Sequence, residues 1–387
     1  MQSSRLPISR RAAIAAVALL AAGSQMPATA QQNAGSRAPN PTKPFVESAV
    51  ATFDSPWALA FLPDGRMLVT EKAGRLFLVT QSGAKRQVDG VPQVANVGQN
   101  GLLDVAVSPQ FDRDRSVYLT YAEPGTQGSG LALALARLGE NSGRVGLDSL
   151  RVIWRQLPKG SGGQPGGIIA FSPDGRHLFL TSGDRMRPAT AQDPDQALGK
   201  VLRLNLDGSV PNDNPLASQG GVRAQTWTTG HRNPYGLAFA PDGRLWLHEM
   251  GPLGGDELNL IRPGLNYGWP LVSNGDNYDG TPIPNHSTRP EFEAPRIYWN
   301  PVIAPAGLAF YAGQAFPDFN GSALIGGLRA QALVRIAFDD DGRAREADRW
   351  DMGHRIRDVA VARDGAIWLL EDSNEARLLR LTPRSRP

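Results

Sequence analysis

Arginine is the residue type in this sequence whose chemistry most directly suggests a ligand. The 387 residues include 40 Lys and Arg against 37 Asp and Glu, with a formal net charge of +3, and most of the cations are Arg. A guanidinium can bind a carboxylate through two parallel hydrogen bonds. Arg355 and Arg357 alternate along one short segment. Such arginines either converge on an anionic small molecule or simply face solvent.

The rest of the composition excludes several classes of function. The chain has no Cys, which excludes disulfides, zinc–thiolate sites, thiol catalysis and covalent haem attachment. The arginines are scattered and form no block that could follow a nucleic-acid backbone, so we expect no nucleic-acid partner. After the N-terminal segment, no apolar run is long enough to span a membrane. The 43 Gly and 31 Pro indicate many turns and few long helices.

Several loop segments carry more charged, amide and aromatic residues than a turn needs. They are GQNGLL (98–103), GKVLRLNLDGSVP (199–211), GHRNPYG (230–236), EMGP (249–252), GDELN (255–259), NYGWP (266–270), YWNP (298–301), LR (328–329) and RIRD (355–358). Each has an ordinary alternative. Trp299 alone is more often a core residue, Arg232 alone is more often an ion-paired loop residue, and Glu257 fits a surface turn.

These loops alternate with a repeated hairpin. An apolar strand, a turn and a second apolar strand recur six times, starting near Trp57, Leu103, Ile169, Gly236, Leu308 and Asp358. In four copies the turn contains Asp-Gly, which supplies the positive-φ residue of a tight hairpin. Six copies at roughly 50–70 residues each are typical of four-stranded blades. We therefore predict an all-β, six-bladed β-propeller with its ligand site on the axis. The rival, a pair of β-sandwiches, would not repeat one hairpin six times.

Residues 1–30 have the organisation of a signal peptide. Arg5, Arg10 and Arg11 precede a short apolar stretch, and Ala28-Thr29-Ala30 forms a small-residue cleavage site. The arginine pair also suggests the twin-arginine route. We expect a periplasmic or secreted protein, a polar, Pro-rich and disordered leader over residues 31–44, and the propeller over residues 45–387.

The loop sequences closely resemble those of the soluble glucose/sorbosone dehydrogenase family, which depends on pyrroloquinoline quinone (PQQ). The resemblance runs from about residue 45 to 383, and its most specific parts are GKVLRLNLDGSVPNDNP, GHRNPYGLAF and GGDELNLIRPGLNYGWP. It implies a six-bladed propeller, which agrees with the repeats. It also implies an oxidoreductase that oxidises the C1 hydroxyl of aldose sugars, with a sugar as its substrate. Because the chain has no Cys for haem attachment, we expect electrons to leave to an external acceptor, and we expect a monomer or homodimer.

The resemblance also assigns cofactor-binding residues. Positions that match the ligands of the PQQ carboxylates are Arg329, Arg355 and Arg357, although the family commonly has Lys at the first. Arg232 and Asn233 match residues that approach the quinone carbonyls. Gln99 matches a polar residue of the same site, and Trp299 matches an aromatic residue that covers substrate or cofactor.

Calcium is the second cofactor that the resemblance implies. One ion would be held by the backbone carbonyls of Gly251 and Pro252, since Ca²⁺ prefers hard oxygen ligands. A second, structural ion would involve Glu257 and the carbonyl of Tyr267.

The sequence departs from the family at the catalytic base. The family has a His before a Gly-Gly pair, and here that position holds Gln164, whose neutral amide cannot accept a proton near neutral pH. We therefore name Gln164 and Arg232 as the catalytic positions and leave the base open among His248, His286, Glu291 and Glu293. Three functions follow: a PQQ-dependent sugar dehydrogenase with altered catalysis, a non-catalytic PQQ- or sugar-binding propeller, or a calcium-dependent lactonase-like hydrolase.

Overall fold

The computed structural model describes residues 31–141, 143–339 and 342–384, so the predicted signal peptide lies outside the described residues. The strands are β1 Gln32–Asn33, β2 Phe45–Phe53, β3 Pro56–Phe61, β4 Met67–Glu71, β5 Arg75–Val79, β6 Lys85–Gln87, β7 Leu102–Val107, β8 Ser116–Gly125, β9 Gly128–Asn141, β10 Arg144–Arg155, β11 Gly166–Phe171, β12 His177–Ser182, β13 Lys200–Asn205, β14 Thr226–Thr229, β15 Pro234–Phe239, β16 Leu245–Glu249, β17 Leu253–Gly254, β18 Asp256–Ile261, β19 Gly275–Asp276, β20 Ile297–Trp299, β21 Pro305–Phe310, β22 Ala323–Gly327, β23 Ala332–Phe338, β24 Ala344–Asp351, β25 Ile356–Val361, β26 Ile367–Glu371 and β27 Ala376–Pro383.

Helices are short: α1 Phe111–Asp114 and α2 Gly221–Gln225, with 3₁₀ turns at Pro188–Ala191, Ala217–Gln219, His286–Thr288 and Pro317–Phe319. Over the described part of the chain, no helix has the length and apolar character needed to cross a bilayer.

The sheets form six blades, which confirms the predicted β-propeller. From the axis outwards the blades are β3-β4-β5-β6, β7-β8-β9-β10, β11-β12-β13-β14, β15-β16-β18-β20, β21-β22-β23-β24 and β25-β26-β27-β2. Each of the six repeated hairpins supplies the two inner strands of one blade. At the Asp-Gly turn between β3 and β4, Gly65 has φ +84°, a conformation that favours glycine.

The second strand of most blades lies between two neighbouring blades and is buried on both faces. All residues of β4, β16, β22 and β26 are buried. Because both faces contact apolar side chains, these strands read as continuous apolar runs rather than alternating patterns.

The ring is closed by the chain's two ends and by an aspartate. β2 pairs antiparallel with β27, so a strand that precedes blade 1 in the chain completes the last blade. On the axis, Asp358 accepts the backbone N–H of Leu59 at 2.8 Å and joins blade 6 to blade 1. Asp104 joins blades 2 and 3 in the same way, through the N–H of Ile169 at 2.8 Å. Burial raises the pKa of Asp104 to about 8 and that of Asp358 to about 7.

Residues 31–44 are ordered, and our prediction of a disordered leader was wrong. β1 pairs in parallel with β20 as a fifth strand of blade 4. Further along, Arg349 in β24 donates to the carbonyl of Ala34 at 2.8 Å, and Asn40 bridges to Trp350. A polar, Pro-rich composition did not preclude order, because the segment makes its hydrogen bonds to the outer edges of blades 4 and 5.

Candidate functional site

Two sets of loops meet at one end of the propeller axis. In each blade the innermost strand is antiparallel to the second strand, so the loop before the first and the loop after the second lie at the same face. The loops before innermost strands carry Gln99, Gln164, Arg232 and Arg355, and the loops after second strands carry Lys72, Asp184, Gly251, Arg329 and Asp372. The structure thus brings most of the predicted site residues to one face.

Three side chains that contact one another at the axis form a surface that we call the axial floor: Trp57, Tyr235 and Arg357. The rings of Trp57 and Tyr235, from blades 1 and 4, meet edge to face with centroids 5.2 Å apart. The Arg357 guanidinium lies 4.4 Å from the centroid of the Trp57 ring, a cation–π contact. A cavity of about 240 Å³ continues along the axis from this floor between mostly apolar side chains.

Arg355 and Arg357 share one acidic partner, Asp372. Arg357 is buried and donates from Nη2 to Asp372 Oδ1 at 2.9 Å, while the more exposed Arg355 donates from Nε to Oδ2 at 2.7 Å. Burial alone would raise the pKa of Asp372, but the two arginines lower it. Burial and the charge of Arg357 also lower the pKa of Lys72. The cluster therefore has three cationic side chains, one carboxylate and an excess of positive charge.

Arg329 is exposed in the loop that follows β22. Its strand lies beside that of Arg357, since a Cβ added to Gly326 would lie 2.7 Å from the carbonyl oxygen of Ile356. Arg329 is thus on the predicted face.

Gln164 lies in a glycine-rich loop and is held on three sides. Its backbone N–H donates to Gln99 Oε1 at 2.6 Å. In the amide orientation that gives both atoms complementary partners, its nitrogen donates to Asp184 Oδ1 at 2.5 Å and its oxygen accepts from Arg232 Nη2 at 2.9 Å. Its φ of +54° is unusual for a residue other than glycine and is a form of strain found at functional sites.

Asp184 is a buried carboxylate directly beside the predicted base position. Besides Gln164, it accepts the indole N–H of Trp269 at 2.8 Å and the backbone N–H of Met186 at 2.8 Å. Burial raises the pKa of Asp184 to about 6, although these hydrogen bonds and the charge of Arg232 act in the opposite direction. A carboxylate with a pKa in this range is suited to proton transfer near neutral pH.

Arg232 links the base position to the loop predicted to bind calcium. Its Nη1 donates to the carbonyls of Met250 at 3.1 Å and Gly251 at 2.9 Å. Its guanidinium also lies 5.3 Å from the ring centroid of Trp269 and 5.5 Å from that of Tyr278. The arginine is thus held among aromatic rings and carbonyls at the loop face.

Asn233 has hydrogen-bonding capacity to spare. The residue is buried, its Oδ1 has no hydrogen-bond partner among the described residues, and its Nδ2 reaches the weak acceptor Met250 Sδ at 3.8 Å. A buried amide with weak or missing partners is suited to a polar ligand, because an unmade buried hydrogen bond costs free energy.

Trp299 lies outside this site, and our prediction that it contacts cofactor or substrate was wrong. Its strand, β20, is the fourth strand from the axis, and the side chain is fully buried between blades 4 and 5. Its indole Nε1 donates to Glu346 Oε2 in β24 at 2.7 Å. The aromatic rings around Arg232 are instead those of Trp269 and Tyr278.

The Trp299→Phe variant should be less stable but bind the PQQ that the resemblance implies as wild type does. The change leaves the buried Glu346 carboxylate without one donor, which typically costs about 1–3 kcal/mol. We expect a lower melting temperature by differential scanning calorimetry and an unchanged cofactor titration. Weaker cofactor binding by a folded variant would show that Trp299 does contribute to the site. Trp350→Phe, which changes a buried tryptophan of the neighbouring blade, serves as the control.

The ligands of the two predicted calcium sites lie in different surroundings. Gly251 and Pro252 lie in a tight loop, where a Cβ added to Gly251 would lie 2.3 Å from the carbonyl oxygen of Gly254. Glu257 is buried and accepts from Asn259 at 3.1 Å, with His286 Nε2 3.1 Å from its other oxygen. The Tyr267 phenol donates to Leu260. No group of three or more His, Cys, Asp or Glu in residues 31–141, 143–339 and 342–384 is arranged to hold a metal, and the second calcium site stays a prediction.

The other candidate bases are occupied elsewhere. His248 is buried and its Nε2 donates to the backbone carbonyl oxygen of Gly307 at 2.9 Å. Burial lowers the pKa of His248 to about 4. His286 faces Glu257, Glu291 pairs with Arg289, and Glu293 pairs with Arg262 and Arg296.

The sequence motifs did not mark Asp184, Asp372 or Lys72 as site residues. Each follows the second strand of its blade, a position where other blades carry Gly251 and Arg329. Aligning the six repeats by their second strands would have marked these positions as facing the axis.

Comparison with known proteins agrees with this geometry. The family model described as Glucose / Sorbosone dehydrogenase matches residues 53–380. The Aldose sugar dehydrogenase YliI of Escherichia coli (strain K12) is 39% identical over 349 residues, which cover 88% of this chain and 93% of that protein. The chain therefore belongs to the glucose/sorbosone dehydrogenase family, and its relatives include proteins named as sugar dehydrogenases.

Solved structures give the same result. The apo-form crystal structure of the soluble aldose sugar dehydrogenase from Escherichia coli has a TM-score of 0.82 at 37% identity and covers 88% of this chain and all of that one. The PQQ-bound form of an aldose sugar dehydrogenase from Streptomyces coelicolor has a TM-score of 0.71 at 28% identity, covering 90% of this chain and all of that one.

Proposed function

We propose that this chain is a PQQ-dependent dehydrogenase that oxidises the C1 hydroxyl of aldose sugars, or a related sugar or alcohol, and passes electrons to an external acceptor. The observation that carries the proposal is the axial floor with cations at its rim. PQQ is planar and carries three carboxylates, so it requires an apolar or aromatic surface over its face and several guanidinium or ammonium groups. Trp57 and Tyr235 offer the first, and Arg357 with its neighbours offers the second.

The residues present fit such a group. Arg329, Arg355 and Arg357 would hold its carboxylates, with Lys72 adding positive charge. Asn233, whose amide has spare hydrogen-bonding capacity, would hold a quinone carbonyl together with Arg232, and Gln99 would line the same space. When bound, the quinone supplies the acceptor for a hydride from the sugar.

The chain's own contribution to the reaction is orientation and charge. Arg232 offers N–H donors where negative charge develops on a carbonyl oxygen, a stabilising arrangement when the donors are already in place. Gln164 can donate to or accept from the sugar hydroxyl, and thereby position it. Trp269 and Tyr278 flank the guanidinium and limit the access of water to it.

Calcium fits the carbonyls of the loop at Gly251 and Pro252. The Gly251 carbonyl already accepts from a cation, the Arg232 guanidinium, at 2.9 Å, and backbone carbonyls are suitable ligands for Ca²⁺. Two neutral carbonyls bind the ion weakly, so we propose that calcium binds together with the carboxylates of the cofactor. We also propose export to the periplasm after removal of residues 1–30.

Spectroscopic titration tests the proposal. Adding PQQ to the purified apo-protein with Ca²⁺ should produce the absorbance of the bound cofactor and raise the melting temperature, since a ligand that binds the native state stabilises it. Aldoses should then reduce an added dye. Absence of both changes at saturating PQQ would exclude the proposal.

A second candidate function is favoured by Gln164, which cannot act as the family's base. It is a propeller that binds PQQ or sugar without turnover. Cofactor binding without any dye reduction, by a panel of aldoses, would establish it. Lactone hydrolysis by the calcium-loaded, PQQ-free protein would instead support a hydrolase.

A further inference from the structure

The side chain at the family's base position has two side-chain partners, and they differ in chemistry. Arg232 Nη2 lies 2.9 Å from the Gln164 oxygen, and Asp184 Oδ1 lies 2.5 Å from its nitrogen. Arginine stays protonated in proteins. The carboxylate is therefore the group in contact with Gln164 that can receive a proton.

We propose that Asp184 is the base that takes the proton of the sugar's C1 hydroxyl, and that Gln164 covers this carboxylate until the sugar enters. The proposal rests on the proposed function, because it assigns a residue to that reaction. In the step, the hydroxyl O–H bond breaks and its proton passes to Asp184 Oδ1. The C1–H bond breaks with both electrons, which pass as hydride to the quinone, and the C1–O bond becomes a carbonyl.

The contacts of Asp184 identify Oδ1 as the reacting atom. Oδ2 accepts from the indole of Trp269 at 2.8 Å, and Oδ1 accepts from the backbone N–H of Met186 at 2.8 Å. Both donors belong to rigid groups. The remaining donor to Oδ1 is the amide of Gln164, which sits on a flexible side chain, so a sugar hydroxyl can replace it as the donor.

Burial and backbone geometry agree with a covered base. Gln164 is 7% exposed and Asp184 is 1% exposed, so the carboxylate is shielded from solvent and the amide in contact with it is the more exposed of the two. Gln164, Arg185 and Met186 all have φ between +54° and +58°, a conformation that non-glycine residues adopt at a cost. The strained residues lie on both sides of the Gln164–Asp184 contact.

The electrostatic surroundings keep this carboxyl titratable near neutral pH. Burial raises its pKa to about 6, whereas an ordinary aspartate ionises near 4. The other charged groups that influence it are Arg185, Arg187, Arg232 and Glu249.

Variants of the PQQ-loaded protein test the assignment. Asp184→Asn should slow the reduction of bound PQQ by glucose about 100-fold or more, while PQQ affinity stays within about threefold. Added formate should restore part of the rate to Asp184→Ala, since it supplies a carboxylate in the vacated space. The control is Asp195→Asn, which removes an exposed aspartate paired with Arg223 in the same segment and should leave the rate unchanged.

A second readout uses the apo-protein without any activity. Because the pKa of Asp184 is higher folded than unfolded, its proton favours the folded state, and this contribution is lost as pH rises from about 4 through about 6. Asp184→Asn cannot ionise. Its melting temperature relative to wild type should therefore rise over this pH range.

The outcomes separate the two proposals. If wild type binds no PQQ or never reduces it, the proposed function fails and this assignment falls with it. If wild type is active, an equally active Asp184→Asn variant overturns the assignment alone. A slowed Asp184→Ala variant that formate does not restore, in a protein whose rate shows no fall below about pH 6, makes Asp184 a positioning residue and also overturns it.

Discussion

Replacing Gln164 with histidine should raise the rate of sugar oxidation by about 10- to 100-fold. The Gln164 amide nitrogen lies 2.5 Å from Asp184 Oδ1, so an imidazole at this position can donate one N–H to the carboxylate and present its other nitrogen to the sugar. Asp184 then fixes the tautomer and stabilises the imidazolium. Dye reduction at saturating PQQ measures the gain, which should decline in acid as the imidazole becomes protonated.

Two variants show whether the gain comes from the pair. Gln99→His places an imidazole on the neighbouring loop, where Gln99 contacts the backbone of Gln164, and it should give no gain. In Gln164→His with Asp184→Asn, the gain should disappear. If Gln164→His binds PQQ as wild type does yet oxidises sugar no faster, the pocket is shaped for a different substrate or reaction.

The fold was predictable because its information is local and repeated. Each blade contains its own copy of the hairpin, from Trp57 in the first to Asp358 in the last, and a few residues in each turn specify the geometry of that hairpin. Six independent copies make the architecture insensitive to an error in any one of them. Closure of the ring by β2 and β27 could not be read in this way, because it pairs strands from opposite ends of the chain.

The site was predictable where one loop sequence carries it and not where contacts join distant loops. The motifs around Arg232-Asn233 and Arg355-Ile-Arg357 indicated the loop face, where the structure has these residues, and their binding of the cofactor stays a prediction. Asp184 is recognised as a candidate site residue only by its contacts with Gln164 and Trp269, which are 20 and 85 positions away along the chain. No local pattern distinguishes it from a turn aspartate.

Trp299 was wrongly assigned to the site because its local motif does not show how far its strand lies from the axis. It sits in a conspicuous aromatic motif, but a strand's distance from the axis depends on its rank within the blade, and β20 is fourth. The leader was misjudged because composition describes what a segment can do alone. Its order comes from Arg349 and Asn300 on other blades, which bind its backbone and side chains.

Replacing Arg357 with alanine should weaken PQQ binding by about 100-fold, or roughly 2–3 kcal/mol for a lost charged hydrogen bond. The Arg357 side chain is 9% exposed, against 45% for Arg355, so its charge is less screened by water. It also forms the cationic part of the axial floor above Trp57. Arg355→Ala should therefore have the smaller effect, and titration of the cofactor absorbance measures both.

Asp372→Asn tests the same electrostatics from the opposite side. Asp372 engages both arginines, so in the ligand-free protein it competes with an incoming carboxylate for their N–H groups. Its neutralisation should lower the melting temperature, because Arg357 loses a buried partner, yet PQQ should bind at least as tightly as to wild type. Arg380→Ala, which breaks the exposed pair with Asp364, should change neither quantity.

If Arg357→Ala folds and binds PQQ with wild-type affinity, the cofactor carboxylates lie elsewhere, since no other contact would replace a buried guanidinium at the axial floor without loss.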